Sequence, residues 1–111
     1  VNTTIERLVV EQLIKGTSAS DAQATVPKST TILGVSVREG ICYVNLDSKF
    51  VSDSYDLSPE VAIYSIVNSV IENGNVTKVQ ILIDGASDVV YKKTIDLSRP
   101  LEWNATLLEV K

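Results

Sequence analysis

The sequence predicts a small α+β domain with the order helix, strand, strand, helix, strand. Three observations predict it. Apolar residues recur at helical spacing in two segments, and apolar and polar residues alternate in three others. Aromatic residues make up only 5% of the 111 residues, so the core must be built from Val, Ile and Leu, which suit a small sheet covered by helices. That length fits one domain with one core, residues 1–111.

The first helix opens where Thr3 and Glu6 have capping-box spacing: a hydroxyl for an N3 amide and a carboxylate reaching back. Ile5, Leu8, Val9 and Leu13 then form one apolar stripe. Lys15 complements the last turn, and Gly16 can take the left-handed C′ conformation. Residues 17–28 read as a polar connection, with Pro27 favouring an extended approach to the first strand. In that strand Leu33, Val35 and Val37 alternate with Gly34, Ser36 and Arg38, Glu39-Gly40 turns the chain, and Cys42, Val44 and Leu46 alternate with Tyr43, Asn45 and Asp47. One apolar and one polar face per strand is the pattern of a sheet covered on one side.

Residues 48–56 read as an irregular or single-turn helical stretch pinned by Phe50. Ser58-Pro59-Glu60 is a strong helix start, with a hydroxyl cap, Pro at N1 and an acid at the positive end of the dipole. Ala62, Ile63, Ile66, Val67, Val70 and Ile71 form a wide stripe, and Asn73-Gly74 ends the helix. Val79, Ile81 and Ile83 alternate with Gln80, Leu82 and Asp84, and Asp84-Gly85 is a second turn. Val89, Val90 and Tyr91 are candidates for a short return strand. The tail, with Ile95, Leu97, Leu101, Trp103, Leu107, Leu108 and Val110, reads as an irregular extension packed along an edge. Both helices must bury their stripes, and the economical arrangement puts both on one face of a mostly three-stranded sheet. The other face and the edges then stay available for partners.

The composition excludes several functions. A net charge of −4 disfavours binding to phosphate backbones, and no G-x-x-G loop of a KH-type module is present. With no histidine, Ser–His and Cys–His arrangements are impossible. The single Cys42 cannot form an internal disulfide and reads as a buried hydrophobe. Asp47, Asp53 and Asp56 share one loop region but lack the alternation of a calcium loop, so they read as solvated acids and caps. No cofactor or metal is expected, and no apolar run approaches the ~20 residues of a membrane span. The absence of Met, even at position 1, leads to the expectation that the segment belongs to a longer, exported protein.

Segments 10–16 (VEQLIKG), 43–47 (YVNLD), 63–69 (IYSIVNS), 79–85 (VQILIDG) and 96–101 (DLSRPL) together resemble the GerMN domain, in the expected order over most of the chain. The connections at 48–56 and 86–93 depart from that pattern. The resemblance implies a fold similar to the ring-building motif, αββαβ, and an extracytoplasmic place in sporulation and germination proteins or envelope lipoproteins. It also implies no enzymatic role.

The expected function is therefore a non-catalytic protein–protein interaction or assembly domain of a bacterial envelope protein, linked to sporulation or spore germination. Its expected partners are other envelope or sporulation proteins, with self-association among the options, and it meets the membrane only through a lipoprotein anchor outside this segment. The alternative is a module for cell-wall glycans or small ligands. Tyr43, which alternates out of the core face, is the leading interaction residue, since exposed aromatics are enriched in interfaces. Tyr64 and Trp103 are further candidates, with packing as the plainer reading of each. Asn68, one turn from Tyr64, reads as a solvated cap or edge residue.

Overall fold

A computed structural model describes residues 4–15, 26, 29–52, 59–93 and 95–103. Expectations for Thr3, Gly16, Pro27, Asp53, Asp56, Ser58, Leu107, Leu108 and Val110, and for all of the 17–28 connection except Val26, lie outside the described residues. The elements are α1 (Ile5–Lys15), β1 (Ile32–Arg38), β2 (Ile41–Leu46), α2 (Lys49–Ser52), α3 (Pro59–Asn73), β3 (Lys78–Ile83), β4 (Val90–Tyr91), β5 (Ile95–Asp96) and β6 (Leu101–Glu102).

Thr4 caps α1, its Oγ1 accepting the Arg7 N–H at 3.2 Å. Glu6 is buried, and its Oε2 accepts the Asn75 N–H at 2.9 Å, beyond the far end of α3. The buried side of α1 is thus rotated from the expected stripe. Glu6 and Val10 face inward with Val9 and Leu13 at the margin, while Ile5 and Leu8 are 50% and 52% exposed.

β1 and β2 form an antiparallel hairpin whose Glu39-Gly40 turn has φ of 53° and 80°. Both values are positive, as in a type I′ turn, whose twist matches the flanking strands. A register shift between Ile32 and Gly34 puts Ile32, not Leu33, opposite Leu46 on the core face. After the crossover through α2 and α3, β3 lies parallel to β2. The C-terminal extension supplies a short extra strand: β6 pairs antiparallel with β3 and completes the order β1-β2-β3-β6. β4 and β5 form a separate hairpin, turning through Lys92 and Lys93 at φ of 49° and 61° without a glycine.

The core lies between the sheet and the helices. Cys42, Val44 and Leu46 of β2 and Val79, Ile81 and Ile83 of β3 meet Ala62, Ile63, Ile66, Val67 and Val70 of α3. Each fully buried aliphatic side chain contributes roughly 1.5–3 kcal/mol. Phe50 on the single-turn α2 stacks on Tyr91 with ring centroids 5.2 Å apart, which ties the β4–β5 hairpin to the core. Asn68 is buried within α3, not solvated.

Gly74 is a glycine for lack of room. Its φ is not positive, but a Cβ there would stand 2.6 Å from Glu6 Oε2 and 2.8 Å from the Val70 carbonyl oxygen. Glu6 and Gly74 therefore form one contact between α1 and the end of α3. Glu6→Ala and Gly74→Ala are each expected to lower the unfolding free energy in urea by about 1–3 kcal/mol, and Glu6→Gln, which keeps an acceptor oxygen, by less. The double variant should lose less than the sum, since both changes act on the same contact. A fully additive pair would dissociate the two residues.

Candidate interaction surface

The register fixes what stands on the sheet face turned away from the helices. Ser36, Tyr43 and Gln80 form a row across β1, β2 and β3; Arg38, Ile41, Lys78 and Glu102 form the next; Gly34, Asn45 and Leu82 form the third. Tyr43 is at the centre and partly exposed. The Arg38 guanidinium lies over its ring, 5.8 Å from the centroid. At a partly exposed site such a cation–π contact contributes about 0.5–1 kcal/mol and orients both side chains.

Much of the surrounding polar chemistry is already engaged. The Gln80 amide donates to the Leu97 carbonyl at 3.3 Å, drawing the C-terminal extension against β3. Asn45 Oδ1 accepts the Gly85 N–H at 2.8 Å and holds the Asp84-Gly85 turn. Lys78 Nζ and Glu102 Oε2 are 3.6 Å apart with both side chains well exposed, a weak pair. The Arg38–Tyr43 pair is thus the most distinctive feature of the face. Arg38 was not singled out in the sequence, although the two-residue turn that pairs it with Ile41 makes it a diagonal neighbour of Tyr43.

The three aromatic candidates are not gathered on one surface. Tyr64 belongs to α3, on the other side of the sheet, and is half-buried against the core. Its phenol is pushed up, first by burial and then by the charge of Glu60. Trp103 follows β6 at the edge of the sheet and is partly exposed. A shallow groove between α1 and α3, lined by Leu8, Val9, Gln12, Leu13, Ser69 and Asn73, is a separate feature that the pattern of residues did not announce.

No catalytic arrangement is assembled among the described residues. Cys42 is fully buried and free, and its thiol is pushed up to about 12, chiefly by burial and further by the negative charge of Glu6. A thiol in that state is not a nucleophile. Asp47 Oδ1 accepts the Thr31 N–H at 3.1 Å, a structural use. Exposed Asp96 is held below the usual carboxylate range by hydrogen bonds from Ser98 and by nearby Arg99. No group of three or more Cys, Asp and Glu side chains suited to a metal ion occurs among the described residues.

Comparison with known proteins adds a family. The family model described as "Germane: Sporulation and spore germination" matches residues 1–89. The fold is similar to the crystal structure of a Clostridium perfringens protein assigned as a lipoprotein, with a TM-score of 0.69 and 21% identity over 87% of this chain and 66% of that one. It is also similar to the tandem GerMN domains of the sporulation protein GerM from Bacillus subtilis, with a TM-score of 0.71 and 18% identity over 86% of this chain and 34% of that one. This chain therefore spans about a third of the tandem protein. No curated protein matches the sequence.

Burial of Cys42 makes two expectations. Ellman's reagent at mildly alkaline pH should label native protein no faster than it unfolds. The thiol ionises near 9.0 when unfolded and near 12 when folded, so its contribution is complete below the lower value and lost as pH rises through the window between them. The unfolding free energy from urea titrations should fall across that window with a slope of up to about 1.4 kcal/mol per pH unit, and Cys42→Ala should flatten it. Equal slopes would show that the thiol is accessible to solvent.

Proposed function

This chain belongs to the Germane family of sporulation and spore germination, and on that premise we propose that it is a non-catalytic protein–protein interaction domain of a bacterial envelope protein. The observation that carries this reading is the sheet face that no helix among the described residues covers, with the Arg38–Tyr43 pair near its centre. Tyr and Arg are the side chains that most often dominate binding energy at protein interfaces. The pair is oriented by its own contact, so less side-chain freedom is lost on binding. The partners this reading favours are other envelope or sporulation proteins.

The likeness to a protein assigned as a lipoprotein supports an extracytoplasmic position, with attachment through a lipid anchor outside this segment. No helix among the described residues is long and apolar enough to cross a membrane. A glycan platform is the weaker alternative. A sugar stacking on Tyr43 would compete with the Arg38 guanidinium for the ring, and the flanking Gln80 and Asn45 side chains already have partners.

The test is site-specific photo-crosslinking from Ser36, beside Tyr43, in envelope fractions, followed by affinity measurement with the captured protein. Tyr43→Ala and Arg38→Glu should each weaken binding by about tenfold or more while leaving the thermal midpoint close to that of the parent chain. Unchanged binding in both variants would sink the proposal. Tyr43-dependent co-sedimentation with peptidoglycan would favour the glycan reading.

A further inference from the structure

The two edges of the sheet are finished differently. On the β3 side, β6 and the Leu97 segment close the edge. On the β1 side, no strand lies beyond β1 among the described residues. The two-residue Glu39-Gly40 turn makes Arg38 and Ile41 a hydrogen-bonded pair. Alternation along the antiparallel ladder then makes Ser36 and Tyr43 another such pair and leaves the peptide groups of Val35 and Val37 pointing outward. Of the five exposed large apolar side chains among the described residues, two are on this strand: Leu33 at 51% and Val37 at 43% exposure.

Such an edge is a template for another strand unless it is blunted. Here the blunting devices are few. β1 contains no proline, its only charge is Arg38 at one end, and the irregularity at Leu33 lies toward the other. α1 lines a groove with the chain at Thr30, Thr31 and Ile32, at the start of β1.

We propose that β1 pairs with β1 of a second copy, antiparallel, about a two-fold axis at Val35, and so joins two sheets into one. In this register Val35 meets its own counterpart, Val37 meets Leu33, and Ser36 meets Gly34, while Arg38 lies beyond the irregularity of the other copy and away from its own counterpart. The outward peptide groups of both copies coincide, the two exposed apolar side chains cover each other, and the one charge does not oppose itself. A slip of one residue would set outward peptide groups against inward ones. The charge balance points to the same strip: each copy carries −4 overall, yet residues 32–38 hold no acid and one arginine. Two acidic copies repel least where their acids are absent.

The contact is one strand of 7 residues, about 24 Å long at ~3.4 Å per residue. Such a strip is smaller than the roughly 1,200 Å² of a standard stable interface, so the dimer is weak and depends on concentration. This inference deepens the assembly reading, and its test uses residues apart from Tyr43, so that the two can fail separately.

The test is sedimentation equilibrium of the 111-residue chain from about 10 μM to 1 mM, a range that brackets weak association. The mass is expected to climb from monomer toward dimer. Hydrogen exchange at the Val35 and Val37 amides should slow as concentration rises. Leu33→Lys with Val37→Lys places like charges opposite each other in the proposed register and should weaken association at least tenfold. Val90→Lys, at an exposed apolar site on the β4–β5 hairpin, should leave it unchanged. A chain that stays monomeric throughout would overturn the proposal. So would a dimer that forms without slowing exchange at Val35 and Val37, a reading that uses the parent chain and does not depend on the lysine variant folding.

Discussion

A single buried carboxylate holds the helical layer in place. Glu6 extends from the first turn of α1, accepts the Asn75 N–H 69 positions along the chain, and occupies the space that a side chain at residue 74 would need. Its negative charge is also felt at Cys42, in the middle of the sheet. One side chain therefore joins α1 to the end of α3. Burying a carboxylate is unfavourable unless hydrogen bonds compensate it, and the backbone N–H beyond α3 provides one. The arrangement fixes which side of α1 faces inward and brings Val10 into the core. With α1 and α3 paired on one side of the sheet, no helix among the described residues covers the other.

That dependence explains which parts of the fold were legible in the sequence. α3 and β3 could be read because their patterns have one dominant cause, burial against a neighbouring layer. β2 could be read for the same reason, down to the outward placement of Tyr43. α1 could be read as a helix but not as an oriented one. Hydropathy puts Glu6 in solvent and Ile5 and Leu8 in the core, and the observed rotation follows from a hydrogen-bond partner far along the chain. Thr3 and Glu6 had the spacing of a capping box, yet Thr4 caps the helix and Glu6 serves another helix's end. A motif defined by two residues can be matched by residues employed elsewhere.

The C-terminal region was legible only in outline. Two-residue strands are too short to show a period, and the Lys92-Lys93 turn adopts positive φ without the Gly or Asn that would announce it. What holds this region is tertiary: Tyr91 on Phe50, Leu97 in the core, and the Gln80 amide on the Leu97 carbonyl. The candidate surface shows the same division. Tyr43 was visible from alternation, whereas its partnership with Arg38 required the hairpin register. Asn68 was misplaced because its burial cannot be read from the apolar stripe: at about 100° per residue it stands roughly opposite the centre of that stripe, yet it is buried.

The finishing of the sheet also constrains the form that assembly can take. One edge is closed by β6 and the extension behind it, and among the described residues no strand lies beyond β1 at the other. Pairing through a single open edge must be isologous, since the same strip serves both copies, and it ends at two. Joined edges leave no further template, so the contact does not propagate into a fibre. The Arg38–Tyr43 face has no such restriction. It is directed away from the helices in every copy, and in an edge-joined pair two such faces would belong to one continuous sheet. Two sites carried on one rigid body raise the effective concentration of the second contact once the first has formed. A weak edge contact of this kind would therefore strengthen engagement of a partner bearing two complementary sites without adding any contact to the face itself.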